Sequence, residues 1–148
     1  MQRLNRRLYS EIIAALFILL FTYTATSKLF KSLPFYVSLS SSPLIGEYAR
    51  FFSWMLPITE LAIAALLFFP ASRRIGFFSS FALMLLFTVY LAYMITFTEN
   101  LPCSCGGVLQ QMSWKQHLWF NILFSILAGF GIYLTRRKRM NFYPSMTG

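Results

Sequence analysis

A chain of 148 residues with 57% hydrophobic and only 11% charged residues cannot dress a water-exposed globule, whose charged fraction is about 25%. Its net charge of +9 does not point to nucleic acid, because the basic residues cluster at the ends of apolar runs and form no stripe on a polar face. These balances exclude a soluble domain and leave a chain whose solvent is the lipid bilayer.

In chain order, Arg3, Arg6 and Arg7 precede a first apolar run from Ile12 to Ser27, bounded by Glu11 and Lys28. No small-x-small cleavage site follows it, so the run predicts a retained helix over about 8–29 and not a signal peptide. A loop over 30–49 comes next. Pro34, Ser38 to Pro43 and Gly46 exclude a long helix there, while Phe35, Tyr36, Val37, Leu44 and Ile45 predict short amphipathic pieces lying on the bilayer. The second run, Phe51 to Ser72, is broken only by Glu60 and predicts a helix over 50–70. The third, Ile75 to Thr98, predicts a helix over 74–98, and after a loop at 99–113 the fourth, Leu118 to Thr135, predicts one over 114–135.

Roughly 20 residues at 1.5 Å each cross a hydrocarbon core about 30 Å thick. The third run is ample. The first and fourth are short, so Lys28 is expected to snorkel and His117 to lie at the interface. Helices satisfy their own backbone polar groups, as lipid demands, whereas a barrel would need short segments of alternating polarity. The expected fold is all-α: a polytopic four-transmembrane-helix bundle forming a single domain over 1–148.

Orientation follows from the basic residues. Arg3, Arg6, Arg7, Arg73, Arg74, Arg136, Arg137, Lys138 and Arg139 flank one side, and only Lys28, Lys31, Arg50 and Lys115 the other. The positive-inside rule puts both termini in the cytoplasm and, in a bacterial inner membrane, the 99–113 loop in the periplasm. Trp54, Trp114 and Trp119 then fall near the outer interface, where indole rings prefer to sit.

Cys103 and Cys105, in Asn100-Leu101-Pro102-Cys103-Ser104-Cys105-Gly106-Gly107, are the only cysteines. Outside the cytoplasm paired thiols tend toward disulfides. A one-residue spacer reaches the limit of about 7 Å between bridged Cα atoms only in extended chain, so a bridge needs a bend, which Pro102 and Gly106-Gly107 permit. A ring so small removes little entropy from the unfolded chain and makes a poor staple. An exchange-active pair is the leading reading. A structural clip and soft-metal ligation, with Cys103, Cys105, His117 and Met112 as a transient copper site, remain open beside it.

Ser113-Trp114-Lys115-Gln116 fits a capping box that starts the fourth helix at Trp114 and aims its positive end at the cysteine loop. His117, Asn121, Ser125 and Gly129 recur every four residues along one face. Packing against a neighbouring helix accounts for Ser125 and Gly129, while His117 is also placed to move protons for the loop. Glu60 lies mid-helix, where a carboxylate costs about 2.5–3.5 kcal/mol on insertion scales and so needs a partner or a proton. Lys28 is the candidate partner.

Together, Thr26-Ser27-Lys28-Leu29, Pro57, Glu60, the Pro102–Gly107 loop, Met112-Ser113-Trp114 and His117 to Asn121 resemble the MauE branch of the MauE/DoxX-like redox-associated membrane proteins. The resemblance covers nearly the whole chain. It implies thiol–disulfide or quinone redox chemistry outside the cytoplasm, by a thiol–disulfide oxidoreductase or a subunit of one. Cys103, Cys105 and His117 would then be catalytic, and Glu60, Lys28, Trp114 and Asn121 would bind quinone. The implied partner is an extracytoplasmic thioredoxin-like protein or another membrane-complex subunit. A self-contained relay to quinone, as in vitamin-K-epoxide-reductase-like proteins, usually has two cysteine pairs, and this chain has one. The alternative from another class is a non-catalytic membrane module that binds copper, a peptide or a partner protein.

Overall fold

The computed structural model describes residues 2–97 and 113–136. They are helical nearly throughout: α1 (Gln2–Phe30), α2 (Ser32–Ser40), a 3-10 turn at Gly46–Tyr48, α3 (Ala49–Phe68), α4 (Arg73–Phe97) and α5 (Trp114–Arg136). No strand occurs among the described residues. Among the described residues, four helices are long and apolar enough to cross a membrane, over Asn5–Phe30, Gly46–Phe68, Arg73–Phe97 and Lys115–Thr135. At 1.5 Å per residue these spans measure roughly 31–39 Å, enough for the hydrocarbon core with some tilt.

The first and fourth uncharged runs understate their helices. Arginine and lysine are good helix formers, so α1 continues through Arg3, Arg6 and Arg7. Arg7 gives its Nε–H to Glu11 at 3.0 Å, a pairing at i,i+4 on an exposed face.

The four spans pair as α1 with α3 and α4 with α5, and the two pairs pack across each other more sparingly. One half of the bundle, nearer the α3–α4 turn, is an apolar core of Phe17 and Phe21 from α1, Ile63, Ala64 and Leu67 from α3, Phe77 and Met84 from α4, and Ala128 from α5. Phe17 meets the Phe124 ring edge-on at 5.3 Å, a geometry that opposed ring quadrupoles favour. Large apolar side chains also cover the outside, among them Leu19, Leu86, Trp119 and Ile126. Such a surface is stable in lipid and would aggregate in water.

Two glycines let helices approach closely. A Cβ on Gly131 of α5 would sit 2.6 Å from the Phe77 ring of α4, and one on Gly76 would sit 2.9 Å from Leu67 across the α3–α4 turn. Gly129, in the predicted small-residue stripe, has only a Phe81 ring atom at 3.9 Å. The close contact therefore falls about 200° around α5 from the predicted stripe. The α3–α4 turn is tied by Ser72 Oγ donating to Leu66 O at 2.9 Å and Arg73 Nε donating to Leu67 O at 3.3 Å, which serves carbonyls that the end of α3 leaves open.

The short piece expected in the loop after α1 is α2, whose Phe35 and Leu39 are buried against Ala49, Ile45, Phe52 and Leu56 while Leu33 and Val37 stay exposed. Pro34 is tolerated because it occupies the first turn, where backbone N–H groups have no helical acceptor.

Candidate functional site

The other half of the bundle holds the polar interior. Lys28 and Glu60 are 6% and 1% exposed, and Lys28 Nζ donates to Glu60 Oε1 at 2.5 Å. Lys28 therefore does not snorkel. In a helix every Cα–Cβ bond tilts toward the N-terminus. Near the end of α1 that tilt directs Lys28 back into the bundle, and on the antiparallel α3 it directs Glu60 toward Lys28. A carboxylate or ammonium alone would be costly there, and each is the other's remedy.

Side chains of α1, α2 and α4 flank the pair. Lys28 Nζ lies 5.8 Å from the ring centroids of both Phe35 of α2 and Phe87 of α4, within range of cation–π attraction. Thr24, one turn before Lys28, faces the Glu60 carboxyl, but its hydroxyl donates to the Phe21 carbonyl at 3.3 Å. Glu60 Oε2 is buried with no hydrogen-bond partner among the described residues. Ser42 and Tyr90 hydroxyls meet at 3.0 Å and tie the segment after α2 to α4.

The start of α5 brings the remaining candidates. The predicted capping box is present: Gln116 N–H donates to Ser113 Oγ at 3.3 Å and Ser113 N–H to Gln116 Oε1 at 2.9 Å. It fixes the entry of α5 so that His117 and Asn121, one turn apart, are both buried. His117 is thus buried among the helices at the start of its span, close enough to Lys28 to feel its charge. Asn121 Nδ2 donates to the His117 carbonyl at 3.0 Å and Ser125 Oγ to the Asn121 carbonyl at 2.8 Å. Those two side chains spend hydrogen bonds on their own helix, which lets polar residues sit in a membrane interior without an external partner.

Of the sequence candidates, Lys28, Glu60, His117 and Asn121 are buried in this half of the bundle. Cys103 and Cys105 lie outside the described residues, as does the side chain of Trp114. No group of three His, Cys, Asp or Glu side chains able to hold a metal occurs among the described residues. Thr24, Phe35, Phe87 and Tyr90 are additions. Thr24 was discoverable from its i,i+4 spacing to Lys28, whereas nothing marks Phe87 among the 17 phenylalanines.

The class is thereby defined: a multi-pass membrane protein whose four spans enclose a buried Lys–Glu pair in one half of the bundle. The family model described as Methylamine utilisation protein MauE matches residues 6–134, which takes in all four spans. The chain belongs to the MauE family. No curated protein and no solved structure matches it.

Proposed function

We propose that this MauE-family protein is a membrane thiol–disulfide redox protein that exchanges electrons between an extracytoplasmic thioredoxin-like partner and membrane quinone through Cys103 and Cys105. The observation that carries the reading is the convergence of Lys28, Glu60 and His117 from three helices in the half of the bundle where α5 begins, directly after the cysteine-bearing segment. Ionisable residues inside a membrane are expensive and mark proton or substrate pathways.

In this reading the protein lies in the inner membrane with its termini in the cytoplasm. Burial of Lys28 in an ion pair supports that orientation, since it leaves only Lys31, Arg50 and Lys115 as basic residues at the outer flanks. A partner thiolate attacks one sulfur of the Cys103–Cys105 disulfide to form a mixed disulfide and release the other cysteine as a thiolate, and the partner's second thiol then attacks the mixed disulfide, leaving the partner oxidised and both cysteines reduced. His117 exchanges protons with the thiols, because an imidazole changes charge near neutral pH. Lys28, Glu60, Asn121 and Trp114 are the residues proposed to bind quinone.

The test is to express Cys103→Ser and Cys105→Ser variants in cells, trap mixed disulfides and identify what is attached. A thioredoxin-like protein held by one variant and released by reductant is the expected result. Recovery of no disulfide-linked partner with either variant would refute exchange at this pair.

A further inference from the structure

The end of the bundle away from the Lys28–Glu60 pair carries nine of the thirteen basic residues and a single acidic one, Glu11. Helices α1 and α4 both start there, and neither has an acidic residue in its first turn. A helix start is electropositive and is usually answered by acidic side chains, so the arginines add to a positive potential already present.

Glu11 is one carboxylate facing two guanidiniums from different helices. Its Oε1 accepts from Arg7 Nε at 3.0 Å and lies 4.0 Å from Arg73 Nη1. Arg73 is held in place: its Nε donates to the Leu67 carbonyl at 3.3 Å, and its side chain is only 17% exposed. The 4.0 Å contact is too long for a hydrogen bond, so among the described residues the Nη edge of Arg73 has an ionic neighbour but donates no hydrogen bond. The cluster as a whole keeps one positive charge.

It also lies where the hydrocarbon begins. Leu8 and Ile12, which follow Arg7 and Glu11 on α1, are exposed, and so is Ile75, which follows Arg73 and Arg74 on α4. The Arg74 guanidinium rests 5.9 Å from the ring of the exposed Phe78. An anion that reaches this level while its body lies against apolar side chains is the phosphate of a phospholipid. A zwitterionic lipid would bring an ammonium among the guanidiniums, whereas an anionic lipid brings negative charge alone. Guanidinium forks match phosphate oxygens in pairs, and basic pockets between transmembrane helices hold such headgroups.

We propose that Arg7 and Arg73 bind the phosphate of an anionic phospholipid, with Glu11 as a built-in competitor for the same guanidiniums. The bound lipid ties the start of α1 to the α3–α4 turn. The site is independent of the redox reading and of which side of the membrane the termini occupy.

The test uses the full chain, freed of lipid in an uncharged detergent and titrated separately with dioleoyl phosphatidylglycerol and dioleoyl phosphatidylcholine. Bound lipid is counted by native mass spectrometry. Phosphatidylglycerol is expected to bind about fivefold tighter, the attraction that one uncompensated arginine near charged lipid supplies. Arg7→Gln or Arg73→Gln should bring the ratio close to one. Arg7 is largely exposed, so its replacement leaves the fold intact and does not depend on the Arg73 bond to Leu67. Glu11→Gln should raise the ratio by about a further fivefold, because it frees both guanidiniums. Arg50→Gln, at the other end of the bundle, should leave it unchanged. Equal affinities in the parent, or a preference that survives Arg7→Gln and Arg73→Gln together, would overturn the site. An equal loss in Arg50→Gln would overturn it too, since the attraction would then be to net charge. So would a Glu11→Gln protein no more selective than the parent, because carboxylate and lipid would not share the guanidiniums. Displacement of phosphatidylglycerol by millimolar inorganic phosphate would overturn the assignment to lipid.

Discussion

Lys28, two residues from the end of α1, and Glu60, in the middle of α3, form a 2.5 Å ion pair that water does not reach. The pair joins α1 and α3, which pack against each other along the bundle. It also sets which charges the membrane interior must tolerate, and several measurements bear on it.

Lys28→Met should be strongly destabilising, by about 3–5 kcal/mol, because it strands the Glu60 carboxylate among apolar neighbours. The double variant with Glu60→Leu should recover most of that loss, since a buried pair replaced by apolar groups is often neutral or better. Melting temperatures of the two single variants and the double variant in detergent give the coupling. A double variant less stable than either single would show that the two side chains act independently.

His117→Gln should slow thiol exchange with a dithiol while leaving the bundle folded. Glutamine keeps a polar side chain one residue after the capping box but cannot take up a proton near neutral pH. Exchange rates and melting temperature measured on one preparation separate the roles. Activity lost only in proportion to stability would make His117 a packing residue.

Gly131→Ala should cost about 1–3 kcal/mol, because the new methyl would press on Phe77, which is fully buried and has nowhere to move. Gly129→Ala should be neutral or slightly stabilising, since its new methyl would meet only a ring atom at ordinary contact distance and alanine is the better helix former. Thermal unfolding of the two variants side by side decides this. Equal losses would contradict the packing of α4 on α5.

A membrane-impermeant thiol reagent added to intact spheroplasts should label reduced Cys103 and Cys105, given that nine of the thirteen basic residues flank the opposite side. Labelling only after lysis would invert the orientation.

The Cys103–Cys105 bridge should equilibrate with glutathione or dithiothreitol at a potential above the structural range, which lies below about −300 mV. A value within that range would identify a clip, not an exchange site.

The amino-acid sequence by itself determined the membrane class, the four spans and the start of α5. Each depends on residues close together in the chain: uninterrupted apolar runs set span length, and the Ser113–Gln116 box closes over three residues. It also nominated Lys28 for Glu60, because a carboxylate in an apolar run needs a partner and few cations lie near such runs. Tertiary structure alone decided that Lys28 turns inward, that α2 packs its apolar face on α3, and that Gly131 makes the close helix contact where Gly129 does not. The same holds for Phe35 and Phe87 meeting over the ammonium. The physical reason is the solvent. In water an amphipathic stripe announces which face of a helix is buried, but in lipid both faces are apolar. Which of 17 phenylalanines points inward is then set by how the antiparallel helices tilt their side chains and fit against one another.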